Sequence, residues 1–198
     1  VVVMVGTGKF LELSDLTNTP VNSAYVFKDN GQTSPISRGQ LAPLSLSSDR
    51  RVSASVQPNF NTSFGWLIDF PAGERVNLDP LLLNGVLLMP TLVPSSEACS
   101  GAGFGWFNFF DYRSGTSLVP SGVVSERMIT PAVGYNIVYD GNGVPQVVVT
   151  GSNDPTPQQL SLDDQVFAQG TSGQTSVIFK QKPNGSFGTK QSWRELIQ

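Results

Sequence analysis

The side chains that most often carry acid–base and metal chemistry are scarce in this chain: its 198 residues include no histidine and one cysteine, Cys99. Without histidine the usual general base is missing, together with Ser-His and Cys-His nucleophile pairs and the commonest zinc ligand. Hydrolase and zinc-enzyme readings lose most of their footing. Gly6-Thr7-Gly8 followed by Lys9 lacks the spacing between glycines and the Lys-Ser/Thr ending of a phosphate loop, so it reads as a turn after a strand. Asp140-Gly141-Asn142-Gly143 has two oxygen side chains and no distal acidic partner, short of the roughly six to eight oxygens calcium takes. It reads as a type I′ hairpin turn.

The remaining polar and aromatic motifs have plainer readings. Glu74-Arg75 and Arg194-Glu195 are adjacent opposite charges, which a strand sends to opposite faces, so each is expected to pair across strands or meet solvent. Asp163-Asp164 reads as a solvated loop. Trp66, Trp106 and Trp193 have the chemistry of a ligand-stacking platform. They stand at strand starts or in a terminal strand, where packing between blades of sheet is the expected role. Cys99 reads as a small buried apolar residue or as one half of a bridge to a cysteine on another segment. No catalytic, cofactor-binding or metal-ligating residue is assigned.

The elements that position these residues are strands. Charged residues make up 14% of the chain, while Gly and Pro contribute 20 and 14 residues, a balance that favours strands joined by tight turns. The net charge of -3 argues against a nucleic-acid partner, whose phosphates demand a dense Lys/Arg footprint. The segment 65–115 carries the organising rhythm: short apolar strands separated by Gly and Pro, including two Gly-Trp strand starts and the Asn84-Gly85 hairpin signal between residues 80–83 and 86–89.

In chain order, residues 1–5 form a continuous apolar run, expected as a strand buried on both faces and entered mid-fold. A short helical turn is expected within 10–18, with Ser14 and Asp15 as turn or cap residues. Strands are expected at 23–28, 41–46, 51–56, 66–70, 105–112, 132–139, 144–150 and 176–180, with Asp111 to Gly115 as a closing turn. The total is roughly a dozen short strands, an all-β chain for which a sandwich, a barrel or propeller blades are the candidates. At ~40–50 residues per four-stranded blade, the chain supplies about four blades, fewer than a full ring. A C-terminal fragment of a ring is therefore expected.

Four phrases are more specific than generic β-sheet text: GTGKFLELSDLTNTPVNSAYVFKD at 6–29, GWLIDFPAGERV at 65–76, TLVPSSEACSGAGFGWF at 91–107 and SWRELI at 192–197. In that order they resemble the C-terminal region of the PilY1/PilC family, type IV pilus biogenesis factors and tip adhesins of Gram-negative bacteria. The match is weak between residues 119 and 190. The resemblance implies a modified, quinoprotein-like β-propeller spanning 1–198 as the C-terminal portion of its domain, with upstream blades and an N-terminal module elsewhere. It also implies export to the cell surface or pilus tip, no enzymatic activity, support of pilus assembly against retraction, and attachment to host cells or surfaces. The implied partners are pilins or minor pilins, a host-cell or abiotic surface, and the remaining propeller polypeptide.

The family's calcium loop, a run of alternating Asp and Asn, is not found in this sequence, so no cofactor is assigned to the chain and calcium is expected upstream. Asn61-Thr62-Ser63 and Asn184-Gly185-Ser186 match an N-glycosylation pattern that carries little weight in a bacterial protein. The alternatives are a fragment of a periplasmic quinoprotein-type oxidoreductase and a purely structural extracellular β domain. For the fragment reading, the strand at 1–5 is expected to lie beside another polypeptide or the missing part of its own chain, and the segment around Trp193 to be paired and buried.

Overall fold

The computed structural model describes residues 1–8, 12–31, 33–95, 103–128, 130–139 and 145–151. Cys99, the Asp140–Gly143 turn, Asp163-Asp164, the strand at 176–180, Asn184-Gly185-Ser186, Trp193 and Arg194-Glu195 lie outside these residues. The described chain is all-β. Its strands are β1 (Val2–Gly6), β2 (Ser23–Lys28), β3 (Ala42–Leu46), β4 (Val52–Ala54), β5 (Gly65–Asp69), β6 (Leu81–Leu83), β7 (Val86–Pro94), β8 (Gly103–Asp111), β9 (Ser125–Met128), β10 (Ala132–Tyr139) and β11 (Pro145–Gly151). The expected helical turn is a 3-10 turn at Leu13–Leu16, where the Asp15 carboxylate accepts the Glu12 N–H at 3.0 Å.

Three sheets form. The first has the order β1-β2-β5-β3-β4, the second β6-β7-β8-β9, and the third is the β10-β11 hairpin. The second is an antiparallel meander in chain order, built by local turns. At Asn84-Gly85 both residues adopt positive φ, 49° and 86°, as a type I′ turn demands. At the same end of the sheet, where Asp111 pairs with Val86, the Asp111 carboxylate accepts the N–H groups of Arg113 and Ser114 at 2.8 and 3.0 Å, and Gly115 N–H returns to Asp111 O at 2.7 Å. The expected closing turn is therefore present. The first sheet departs from a simple meander, because β3 lies parallel to β5; β4 and residues 55–64, which join them, let the chain return in the same direction.

The second sheet is the middle layer. Alternate residues point to opposite faces of a strand. Leu87, Met89 and Phe110 pack with Ala24, Val26, Trp66 and Ile68 of the first sheet. Their neighbours Val86, Leu88, Phe107 and Phe109 pack with Ala132, Val147 and Val149 of the hairpin layer. Two cores on two faces explain why β7 is a continuous apolar run and not an alternating one.

The run at 1–5 corrects the expectation of a strand buried on both faces. β1 is an edge strand, with Val2 and Met4 packed on the core side and Val5 42% exposed on the other. Apolarity alone did not distinguish an edge from a centre. The segment 75–78, which leaves the turn after β5, makes one isolated bridge, Arg75 to Leu92.

Candidate functional site

The most concentrated chemistry in the described residues is a buried polar network between the first and second sheets. Arg50 lies in the turn between β3 and β4, 4% exposed, and Glu74 follows the turn after β5, 1% exposed. The guanidinium of Arg50 donates to both carboxylate oxygens of Glu74, at 2.8 and 2.9 Å, a bidentate pairing. It donates further to Asn108 Oδ1 at 2.6 Å and Ser125 Oγ at 3.0 Å. Its plane lies 4.3 Å from the Trp106 ring centroid, in cation–π range.

The neighbours complete the network. Thr91 Oγ1 donates to Glu74 Oε1 at 2.6 Å and accepts from Asn108 Nδ2 at 3.1 Å. Asn108 Nδ2 also reaches Met89 O at 2.9 Å, and Ser125 Oγ donates to Asn108 Oδ1 at 2.5 Å. Asn22 Nδ2 donates to the backbone oxygen of Glu74 at 2.8 Å. Burial of unpaired charge is prohibitive, and this set of partners is what makes Arg50 and Glu74 tolerable there.

Local structure delivers Arg50 into this position. Its φ of 61° is left-handed, a conformation that costs a non-glycine residue about 1–2 kcal/mol. The turn is closed by Arg50 N–H to Ser47 O at 3.0 Å and Ser47 N–H to Arg51 O at 2.9 Å. Across the sheets, Val124 N–H donates to Arg50 O at 2.9 Å and Arg51 bridges Val123. The turn is thus bonded to the strand entering β9 by backbone as well as side chain. With every reactive oxygen engaged by another group of the network, the arrangement locks two sheets together.

A second polar group faces solvent on the outer side of the first sheet. Arg38 donates to both oxygens of Asp69 at 2.6 Å and to Tyr25 OH at 2.6 Å, while Ser23 Oγ donates to Asp69 at 2.5 Å. Burial alone would raise the Asp69 pKa, but hydrogen bonds from Arg38 and Ser23 and the positive charge of Arg38 hold it below the ordinary carboxylate value. The Arg38 guanidinium is raised, first through its hydrogen bond to Asp69. Beside this group lies a cleft of about 280 Å³ lined by Tyr25, Phe27, Pro35, Ile36, Arg38 and Leu41.

The sequence-assigned aromatics separate in role. Trp66 is fully buried, its indole N–H donating to Tyr112 O at 3.0 Å and its ring 5.6 Å from Phe110. Packing is its role. Trp106 is half-buried, with the Arg50 guanidinium over its ring and Phe104 edge-to-face with it, and Arg127 lies over the Phe104 ring at 4.6 Å. Glu74 pairs across sheets, with a partner that sequence reading left unmarked. Arg75 is also buried, and its guanidinium donates to Asn18 O. Asn61 and Thr62 are exposed in a turn where Thr62 and Ser63 N–H return to Asn59 O. Sequence reasoning missed Arg50, Asn108, Ser125 and the Arg38–Asp69 pair; only the polar interruption of the aromatic strand at Asn108 was a signal.

Among the described residues no group of three or more His, Cys, Asp or Glu is arranged to hold a metal ion, and no helix is long and apolar enough to cross a membrane. Comparison of the chain with protein-family models, with curated proteins and with solved structures returned no match.

Proposed function

We propose that the chain is a non-catalytic binding and assembly module, the C-terminal portion of a pilus-tip factor of the PilY1/PilC kind, acting through loop surfaces carried on a rigid β scaffold. The observation that carries the reading is where the resemblance-bearing phrases lie. Trp66 of GWLIDFPAGERV fills the core between two sheets, and Glu74 of the same phrase is the buried partner of Arg50. Phe107 of the GFGWF phrase packs into the opposite core. Distinctive text spent on scaffold leaves recognition to the loops and to the cleft beside Arg38.

On this reading the sheets are parts of a modified propeller, with the β6–β9 meander as a blade-like unit, and upstream blades complete the ring and hold any calcium. The module is exported to the pilus tip or cell surface, supports assembly against retraction through pilins or minor pilins, and contacts host cells or abiotic surfaces. Deletion of the locus in its own bacterium is expected to abolish surface pili and twitching, with recovery on complementation. Normal piliation in the deletion strain overturns the assembly role. Titration of the purified protein with pyrroloquinoline quinone is expected to leave its spectrum unchanged; tight stoichiometric binding would replace the binding module with an oxidoreductase.

A further inference from the structure

We infer that the edge of β1 turned away from β2, which no described strand covers, is a self-pairing surface, through which two copies of this chain join their five-stranded sheets about a twofold axis at Met4. The bonding phase of β1 follows from its neighbours. Asp29 N–H donates to Val1 O at 2.9 Å and Thr7 N–H to Ser23 O at 2.9 Å, so the pairs 1/29 and 7/23 are directly bonded. Directly bonded and non-bonded pairs alternate in an antiparallel ladder, and the register Val3 to Phe27 and Val5 to Tyr25 continues the bonded set. Val2, Met4 and Gly6 therefore turn their N–H and C=O groups away from β2. Among the described residues no strand pairs with that edge.

The edge is complementary to itself. In an antiparallel pairing centred on Met4, Val2 faces Gly6 of the second copy, Met4 faces Met4, and Gly6 faces Val2. All three are outward-directed residues, giving roughly six hydrogen bonds at two per bonded pair. Moving the centre by one residue in either direction leaves two such pairs. On the outer face the same register sets Val3 opposite Val5 of the second copy in both halves, the close non-bonded arrangement in which β-branched pairs stabilise a sheet. Val5 is 42% exposed in the single chain, and pairing covers it.

Protective devices are absent from this edge. Sheet edges are ordinarily blunted by charge, proline or a bulge, and residues 1–8 contain neither a charged side chain nor a proline. The other edges among the described strands differ: β4 and β6 have three residues each, β9 carries Glu126 and Arg127, the β10 pairing is irregular at Ala132/Gly134, and β11 begins with Pro145.

Sedimentation of the 198-residue chain across a concentration series tests the inference. A reversible monomer–dimer equilibrium is expected. The double variant Val3→Lys/Val5→Lys sets lysines opposite lysines and is expected to weaken the dimer at least tenfold with an unchanged circular dichroism spectrum. Mixing it with Val3→Asp/Val5→Asp is expected to restore association as a heterodimer. The register is read in a Cys99→Ser background: an oxidised mixture of Val3→Cys and Val5→Cys chains is expected to crosslink as 3-to-5 heterodimers in preference to 3-to-3 homodimers. A wild-type chain that stays monomeric overturns the inference. A dimer indifferent to the lysines, or one lacking the 3-to-5 preference, overturns it equally.

Discussion

Replacing Arg50 by methionine is the sharpest perturbation of this scaffold. Methionine keeps an unbranched stem and the same backbone demand at φ 61°, so the change isolates the guanidinium. Its loss strips Glu74 of two hydrogen bonds at 2.8 and 2.9 Å and of its only charge partner in the network, leaving Thr91 as the remaining side-chain donor. Removing one member of a buried pair costs about 3–5 kcal/mol. Asn108 and Ser125 each lose a partner as well, which sets the expectation at the upper end. With a urea m-value on the order of 2–3 kcal/mol/M for a chain of this size, the unfolding midpoint is expected to fall by about 1–2 M.

Combining Arg50→Met with Glu74→Leu removes both charges. Buried pairs replaced together by apolar residues are often close to neutral, so the double variant is expected to recover part of the loss, with a coupling of about 2 kcal/mol or more, within the range of contacting pairs. Parallel urea titrations of the four proteins supply the cycle. If Arg50→Met lowers stability by less than about 1 kcal/mol, in the range of an exposed ion pair, the reasoning that this contact is a desolvated inter-sheet lock is wrong.

Three further outcomes follow from other parts of the structure. Because the folded-state pKa of Asp69 is depressed, its contribution to stability is complete above the unfolded value of about 3.9 and is lost as pH falls through the folded value; wild type is expected to exceed Asp69→Asn in urea midpoint at neutral pH, the gap closing toward the acid end. Tyr135 donates to Asp79 O at 2.6 Å, and burial first, then the Asp79 charge, pushes its pKa up to about 12. One of the four tyrosines should therefore ionise last in an absorbance titration, a step that Tyr135→Phe removes. Its stabilising effect is full below the unfolded value of about 10 and lost as pH rises through the folded one. At Gly65, with φ 149°, a Cβ would lie 2.0 Å from Val26 O. Gly65→Ala is expected to destabilise by at least about 1–3 kcal/mol, whereas Gly39→Ala, where a Cβ meets open space, is expected to leave the melting temperature unchanged.

Elements whose causes are local are legible in the chain itself. Asn84-Gly85 dictates a type I′ hairpin and Asp111 to Gly115 an Asx-stabilised turn, because side chain and φ requirement lie within a few residues. The alternation at 51–56 was legible for the same reason, although the strand itself is only Val52–Ala54. What those elements meet depends on the assembled sheets. Val1 to Val5 and Val86 to Val93 are similar apolar text, yet one became an edge and the other the centre of three layers, since burial depends on which sheets arrive on each face. The polar strand β9, SERM, gave no periodic signal and forms by pairing with β8. Arg50 carried no local signal. Its partners Glu74, Asn108 and Ser125 stand 24, 58 and 75 residues away, and a charge is drawn into a core only when the whole set of partners closes around it. That closure is a property of the assembled sheets, and no window of sequence contains it.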